Sequence, residues 1–198
     1  MSSTSGNLIP SNFRKLYDKS EIQKQVERVA QEIDAWIDAG NVGAQEDGDG
    51  KKRNAERDVL ALPVLRGGLY FYADLSRAIR NSLDCNPIQS WAYQGVENTA
   101  LPTGVSVNLS DFPVKGRRVL IVDDICDSGK TFDAIQQRLL DRGAVEVVAA
   151  ALIQRVGIEL KFTPRWVGFT YDGPEWFVGY GMDDGGRWRN LPEIYLID

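Results

Sequence analysis

The stretch VLIVDDICDSGKT, residues 119–131, decides the fold of this 198-residue chain. Its first four residues are valine, leucine and isoleucine, which is typical of a buried strand. Two aspartates follow, and the stretch ends in the polar turn DSGKT. A phosphate-binding P-loop requires a glycine five positions before Gly129, where this chain has Asp124. The stretch is therefore not a P-loop, and a P-loop kinase is excluded.

Short apolar runs alternate with segments of helical spacing along the rest of the chain, which predicts an α/β fold. The predicted strands are DVLALPVL (58–65), IQSWAY (88–93), VSVNL (105–109), RRVLIVDD (117–124) and VEVVAAALI (145–153). Helical spacing covers 67–83 and 129–142. We expect an open, mostly parallel sheet with helices on both faces. Pro63 argues against a central position for the first strand, because proline cannot donate to a ladder.

The two ends of the chain differ in character, and one domain spanning 1–198 accommodates both. Residues 1–19 are predicted to be flexible. Ser20–Gln23 fits a capping box that opens a helix, and Gly40 is a natural stop. Residues 41–57 are polar and contain glycine, which predicts a surface loop. The tail from Trp166 is rich in aromatic residues and glycine, and short strands are expected there.

Composition excludes several classes of function. The 28 acidic and 23 basic side chains give a formal net charge of -5, which argues against a nucleic-acid-binding protein. No apolar run approaches a membrane span, and the N-terminus lacks the features of a secretory signal. Two cysteines, Cys85 and Cys126, form no disulfide framework and indicate a cytoplasmic protein. The chain has no histidine, which removes Ser-His and Cys-His catalysis and histidine-ligated metals.

The polar part of the opening stretch predicts a composite ligand. Ligands of such sheets bind at the carboxyl ends of the strands. Backbone N–H groups of 128–131, at the start of the next helix, can cradle a phosphate. The carboxylates of Asp123, Asp124 and Asp127 would repel that phosphate, so they must serve a neighbouring part of the ligand. Carboxylates accept hydrogen bonds from paired hydroxyls, which points to a sugar diol.

VLIVDDICDSGKT resembles the phosphoribosyl-pyrophosphate (PRPP) signature of type I phosphoribosyltransferases, most closely their hypoxanthine-guanine branch. The resemblance extends from about residue 58 to the C-terminus, and it implies a small hood built from terminal segments. It implies that Asp123 and Asp124 hold the ribose hydroxyls, while the acid matching Asp127 accepts a proton from the base near its N7. The implied 5-phosphate site is Asp127, Ser128, Gly129, Lys130 and Thr131.

Two further segments resemble parts of that family. Leu65–Gly68 stands where the family has its pyrophosphate loop, which often carries a cis peptide, and this implies that Arg66 and Gly67 bind pyrophosphate. Glycines there let backbone N–H groups approach an anion. Residues 90–104 match the mobile catalytic loop in position. Ser90 and Trp91 stand where the branch has a serine–aromatic pair.

The tail WFVGYGMDDGGRWRNLPEIYLI (176–197) resembles the base-binding segment of the hypoxanthine-guanine enzymes. By position, Trp176 stacks on the base, which requires only a flat apolar face. Phe177 and Val178 offer backbone groups to the base edge. Asp183, with Asp184 as the alternative, binds Mg²⁺ together with Asp123 and Asp124. Arg189 contacts pyrophosphate.

One residue departs from the branch. Gln154 stands where the branch has a lysine that donates to the exocyclic oxygen of a 6-oxopurine. A glutamine amide both donates and accepts, so it matches hypoxanthine and guanine in one orientation and adenine in the other. Xanthine is disfavoured if a positive charge is needed at this point.

These observations predict a magnesium-dependent purine phosphoribosyltransferase of purine salvage, which makes a nucleoside 5'-monophosphate and pyrophosphate from PRPP and a free base. Hypoxanthine and guanine are placed ahead of adenine, xanthine or a pyrimidine. The other alternative is a non-catalytic regulator that keeps the PRPP fold and binds nucleic acid. The family is commonly dimeric or tetrameric, so a homo-oligomer is expected.

Overall fold

The structure, a computed structural model, describes residues 9–40, 59–92, 105–108 and 112–197. Its elements, in chain order, are β1 (Phe13–Tyr17), α1 (Lys19–Gly40), β2 (Val59–Leu65), α2 (Gly68–Ala78), β3 (Asp84–Cys85), β4 (Ile88–Ala92), β5 (Val105–Asn108), β6 (Arg118–Cys126), α3 (Lys130–Asp141), β7 (Glu146–Arg155), β8 (Trp166–Tyr171), β9 (Trp176–Val178) and β10 (Ile194–Ile197). The predicted loop at 41–57 lies outside the described residues.

The central sheet has the strand order β5-β4-β2-β6-β7-β8, and the short β3 also pairs with β2. Its pairs are parallel except for β4 with β5. Apolar side chains of α1 and α2 pack on one face and those of α3 on the other, so β2, β6 and β7 are largely buried. The prediction of an open, mostly parallel sheet covered on both faces is confirmed. Among the described helices, none is long and apolar enough to cross a membrane.

Pro63 lies in a central strand, so the inference against that position was wrong. The residue pairs with Val122 of β6 on one side of β2. On the other side the partner of β2 changes from β3, which ends its pairing at Ala61, to β4, which begins at Val64. Pro63 falls in this gap, where no ladder pair requires its missing N–H.

The N-terminal predictions need two corrections. Phe13–Tyr17 forms strand β1 rather than a flexible segment, because it pairs with β10. Helix α1 is capped by Asp18 and not by Ser20: Asp18 Oδ1 accepts the N–H of Glu21 at 2.9 Å, and Glu21 Oε2 accepts the N–H of Asp18 at 2.8 Å. This reciprocal pair is a capping box that begins two residues earlier than the predicted one.

Both ends of the described chain meet in a second, antiparallel sheet of order β1-β10-β9. In it Ile197 pairs with Phe13 on one side and with Trp176 on the other. The short strands predicted for the tail are therefore confirmed. The sheet fixes the start of the proposed base-binding segment, while its role as a hood remains a prediction.

Asp34 joins the two helices on one face of the central sheet. Its carboxylate is almost fully buried and accepts hydrogen bonds from the backbone N–H groups of Arg80 and Asn81, at 3.0 and 3.1 Å, and from both side chains. Burial alone would raise the pKa of Asp34, but these hydrogen bonds outweigh it and hold the pKa below its ordinary value. The ionised carboxylate therefore ties the end of α2 to α1.

Replacing Asp34 is expected to destabilise the fold. Asp34→Ala should lower the free energy of unfolding at pH 7 by about 2–3 kcal/mol, the scale for losing hydrogen bonds to a charged group. Because the folded pKa is depressed, this contribution is present above the unfolded pKa of about 3.9 and is lost as the pH falls through the lower folded pKa. Urea denaturation at pH 7 and near pH 3 measures both effects.

Asp38→Ala is the matched control, since Asp38 lies one turn further along α1, is more than half exposed and bridges the same Arg80. It should cost less than about 1 kcal/mol. Equal losses in the two variants would contradict the role of Asp34.

Candidate active site

The carboxyl ends of β2 and β6 meet at two glycines. A Cβ on Gly68 would lie 2.8 Å from Val122 O and 2.9 Å from Asp123 Cα, and a Cβ on Gly67 would overlap the carboxylate of Asp124. At Gly68 the atoms met are backbone, so only glycine permits the approach, whereas at Gly67 a Cβ would displace the Asp124 side chain. The preceding Leu65–Arg66 peptide is cis, as the resemblance implied. The loop of Gly67 and the aspartate pair therefore form one surface.

The aspartate pair lies at the buried edge of this surface. Asp123 Oδ1 accepts the N–H of Asp124 at 2.9 Å. Burial, followed by the charge of Asp124, raises the pKa of Asp123 well above its usual range. Burial also raises the pKa of Asp124, against the effect of hydrogen bonds from Asp123 and the backbone and of the charge on Arg189. Groups that donate hydrogen bonds or carry positive charge would favour the ionised forms of both carboxyls.

The turn after β6 leads into the N-terminus of α3, a position at which backbone N–H groups can bind an anion. Gly129 is the N-cap residue, with a left-handed φ of 71°, and a Cβ there would overlap the backbone of Phe162. The first N–H groups of a helix have no intrahelical acceptor, and no side chain caps this one. Burial raises the pKa of the Cys126 thiol to about 11, so it stays neutral beside this site.

Asp127 is held by an arginine that the sequence analysis did not select. Asp127 Oδ1 lies 2.6 Å from Nε of Arg155, the last residue of β7. The Arg155 guanidinium is largely buried and lies over the ring of Phe177, 4.5 Å from its centroid. One ion pair thus joins Asp127, directly after β6, to the end of β7, where the guanidinium also meets Phe177 of the tail.

A cavity of about 190 Å³ lies between these elements, and it is lined by Asp124, Ile125, Asp127, Arg155, Trp176, Phe177, Met182 and Asp183. Trp176 is 61% exposed, which leaves its ring available for stacking. Strand β9 is an edge strand of its sheet, so alternate backbone groups of Phe177 and Val178 point away from β10. The cavity offers one flat ring and a backbone edge to a ligand.

Asp183 and Arg189 form the far wall of the site. Asp183 Oδ1 lies 2.5 Å from Arg189 Nη2, and its Oδ2 accepts the N–H of Gly186 at 2.7 Å. A Cβ on Gly181 would overlap Gly67 O, so this part of the tail rests on the glycine loop. Asp183, and not Asp184, lines the cavity together with the acids of β6.

The remaining predicted residues lie less centrally. Gln154 pairs with Cys126 and Thr170 in the sheet, and among the described residues Arg155 lines the cavity in its place. Arg66 and Lys130 are exposed at the edges of the site. Ser90 and Trp91 lie in strand β4, as the strand predicted for 88–93 requires, and their part in a catalytic loop stays a prediction. The rest of that segment, 93–104, lies outside the described residues.

Comparison with known proteins identifies this arrangement. A model described as the phosphoribosyl transferase domain matches residues 15–184. The chain belongs to this family. A hypoxanthine-guanine phosphoribosyltransferase of Lactococcus lactis is 32% identical over 71% of the chain and 76% of its own length. A protein of the same name from Aquifex aeolicus is 29% identical over 94% of the chain and 95% of its own length. The resemblance drawn from the PRPP signature is confirmed.

Solved structures show the same fold. A hypoxanthine-guanine phosphoribosyltransferase of Bacillus anthracis superposes with a TM-score of 0.74, covering 93% of this chain and 98% of that one at 24% identity. A hypoxanthine phosphoribosyltransferase of Trypanosoma cruzi, complexed with the product IMP, superposes with a TM-score of 0.79. The match covers 96% of this chain and 94% of that one at 21% identity. At these identities the likeness establishes the fold alone.

Arg155 is the residue that sequence reasoning missed. The pattern placed the end of the strand at Ile153, whereas β7 continues through Arg155. A charged residue directly after an apolar strand is commonly a solvated end. The signal that could have found Arg155 is its place at the carboxyl edge of the sheet, at the end of the strand next to the one that carries the acids.

Two glycine variants test how closely the turn before α3 packs against Phe162. Gly129 and Gly116 have similar left-handed φ values, 71° and 77°, but nothing lies within 4 Å of a Cβ on Gly116. Gly116→Ala should therefore cost only the backbone strain, about 1–2 kcal/mol. Gly129→Ala should lower the free energy of unfolding further, since its Cβ meets the backbone of Phe162. Chemical denaturation of both variants checks this, and equal losses would show that the close approach contributes nothing.

Proposed function

We propose that this protein transfers the 5-phosphoribosyl group of PRPP to a free purine base, with hypoxanthine and guanine preferred, and releases pyrophosphate and a nucleoside 5'-monophosphate. The observation that carries the proposal is the convergence of three subsites at one edge of the sheet. They are the acids Asp123, which is buried, and Asp124, which is half-buried, the anion site at the start of α3, and the cavity beside Trp176. The names of the relatives from Lactococcus and Aquifex favour the same reaction.

The reaction breaks the bond between ribose C1' and a pyrophosphate oxygen and forms a bond from C1' to a base nitrogen. Asp123 and Asp124 would accept hydrogen bonds from the ribose hydroxyls, and residues 127–131 would hold the 5-phosphate. Holding the ribose by its hydroxyls and its 5-phosphate would place C1' beside the base. The two reactants would then react in a fixed orientation instead of through random collision. Arg66, Gly67 and Arg189 would stabilise the charge that develops on departing pyrophosphate.

Asp127 would take the proton that the base loses. It lies at the cavity wall beside Phe177, and its carboxylate is 56% exposed toward a ligand. A carboxylate in hydrogen-bond reach of the base can act as a general base without histidine, which this chain lacks. The proton moves from the base nitrogen to Asp127 as the new bond to C1' forms.

The acids of the site also fit Mg²⁺. This ion prefers oxygen ligands and usually takes one or two carboxylates together with substrate phosphates. Asp183 offers such a carboxylate, and Asp123 and Asp124 stand opposite to it. Among the described residues no cluster of three or more metal-ligating side chains occurs, so the remaining ligands would come from PRPP. The ion would neutralise charge on the leaving pyrophosphate.

The choice of base depends on the end of β7. Gln154 lacks a fixed charge, and its amide can match either a 6-oxopurine or adenine. Arg155, in contrast, places a cation in the wall of the cavity. Its guanidinium is paired with Asp127, so the preference for hypoxanthine and guanine rests on the resemblance of the tail to the 6-oxopurine branch and on the names of the relatives. A cytoplasmic location and a homo-oligomeric assembly remain predictions.

A product assay with PRPP, Mg²⁺ and a panel of free bases tests the function. Hypoxanthine and guanine should give nucleoside 5'-monophosphate with kcat/KM at least about 10-fold above adenine, xanthine or a pyrimidine, since a site built for one hydrogen-bonding pattern rejects others. A preference for another base would overturn the base assignment and leave phosphoribosyl transfer standing. No product with any base, together with binding of nucleic acid, would favour the regulator.

Asp127→Asn is expected to cut turnover by roughly 100-fold or more, the usual scale for losing a general base. The amide is nearly isosteric, so the affinity for PRPP should change far less. Asp124→Ala serves as the contrast, because losing bonds to the ribose hydroxyls should weaken PRPP binding by about 1.5–3 kcal/mol. Steady-state kinetics and calorimetry with PRPP separate the two effects. Near-normal turnover of the Asp127 variant would rule out proton transfer to this residue.

A further inference from the structure

Arg155 joins three parts of the site through one guanidinium. Its Nε donates to Asp127 Oδ1 at 2.6 Å, its Nη1 donates to Gly173 O, and its Nη2 donates to Glu175 O at 2.6 Å. The two carbonyls belong to the turn between β8 and β9, which leads directly into Trp176. The side chain thus connects Asp127, directly after β6, with the backbone that leads to Trp176 in the wall of the cavity.

The location of Arg155 makes these bonds consequential. Its side chain is only 15% exposed, so its charge has lost most of its water. A buried guanidinium is tolerated when its donors are satisfied in fixed geometry, as they are here by one carboxylate, two carbonyls and the face of Phe177. Asp127, by contrast, is 56% exposed and would be free to rotate without its partner. The arginine therefore determines where the carboxylate points.

We propose that Arg155 is a positioning residue for the transfer described above. By taking Oδ1 of Asp127 it leaves Oδ2 to face the base, and by holding the carbonyls of Gly173 and Glu175 it sets the distance between that carboxylate and Trp176. The proposal rests on the proposed function, because it assigns the acceptor of the base proton and the base-stacking wall to these residues.

Arginine and lysine would differ in this role. A lysine ammonium could reach Asp127 and keep the ion pair. It has no planar fork, so it cannot hold the carboxylate and two separate carbonyls at once. Glutamine lacks the charge and would lose both functions. Comparing arginine, lysine and glutamine at position 155 therefore separates the effect of orienting Asp127 from the effect of placing the base-stacking segment.

The experiment measures single-turnover rates and KM for hypoxanthine and for PRPP in wild type, Arg155→Lys and Arg155→Gln. Single-turnover rates are used because product release can mask the chemical step. Arg155→Gln should lower the chemical rate by about 10- to 100-fold, the effect of a misplaced catalytic group, and raise the KM for hypoxanthine. The KM for PRPP should rise less than the KM for hypoxanthine, because the hydrogen bonds of Arg155 go to Asp127, Gly173 and Glu175 and not to Asp123, Asp124 or residues 128–131, which would hold most of PRPP. Arg155→Lys should recover much of the rate while the KM for hypoxanthine stays raised.

Arg165→Gln is the matched control. Arg165 also pairs with a carboxylate, Glu146, and also lies beside an aromatic ring, that of Trp166. It lies directly before β8, however, and is not among the residues that line the cavity. Its kinetics should equal those of wild type. Thermal unfolding of every variant identifies loss of fold. If Arg155→Gln does not fold, Arg155→Lys tests the proposal, because its rate should be close to that of wild type while its KM for hypoxanthine is raised.

The outcomes are distinct. Wild-type rate and KM for hypoxanthine in Arg155→Gln would overturn the positioning role while the proposed function stands. If the lysine and glutamine variants lost the same rate and both had raised KM values for hypoxanthine and for PRPP, Arg155 would have only a structural role. A wild-type protein that transfers phosphoribose to no base would overturn the proposed function itself, and the positioning role with it.

Discussion

The close approach of Gly67 and Gly68 to the end of β6 is the constraint on which the site depends. Side chains at these positions would meet the backbone of Val122 and Asp123 and the carboxylate of Asp124. With glycine, a backbone loop and a pair of acids share one surface, and the tail can rest on that surface at Gly181. Each subsite of the proposed reaction is built outward from this contact. The rest of the sheet acts as a rigid frame that holds two strand ends together.

Electrostatics explains why the acids are tolerated so close to one another. Asp124, Asp127 and Asp183 line the same cavity. Arg155 pairs with Asp127 and Arg189 pairs with Asp183, so these two carboxylates are compensated. The pair of Asp123 and Asp124 is compensated least, and burial raises the pKa of both. Hydroxyl donors and a divalent cation are the groups that would relieve this shortage of positive charge, which agrees with a ribose and its magnesium.

The sequence was sufficient to predict the structure where the local pattern of residues and their chemistry agreed. The apolar run before Asp123 predicted a buried strand, and the turn at 127–131 predicted the start of a helix, while the binding of phosphate there stays a prediction. It was insufficient where tertiary context decided. Pro63 is central because its neighbouring strand changes at that point, Phe13–Tyr17 is ordered by β10, and Arg155 reaches the site through a strand longer than its apolar core. No local signal carries such long-range pairings. Gln154 was selected because of its position in the family resemblance, which assigned no role to Arg155.

Trp176 shows how the two halves of the site are linked. Its indole Nε1–H donates to Asp183 O at 2.7 Å, a bond that phenylalanine at this position could not make. The same ring stands at the cavity wall across from Asp127. The wall on which a base would stack is therefore fixed to the chain segment that carries Asp183 and, through it, Arg189. A base that orders this ring also orders the groups proposed to hold pyrophosphate, so the two substrates would each favour the geometry that the other requires.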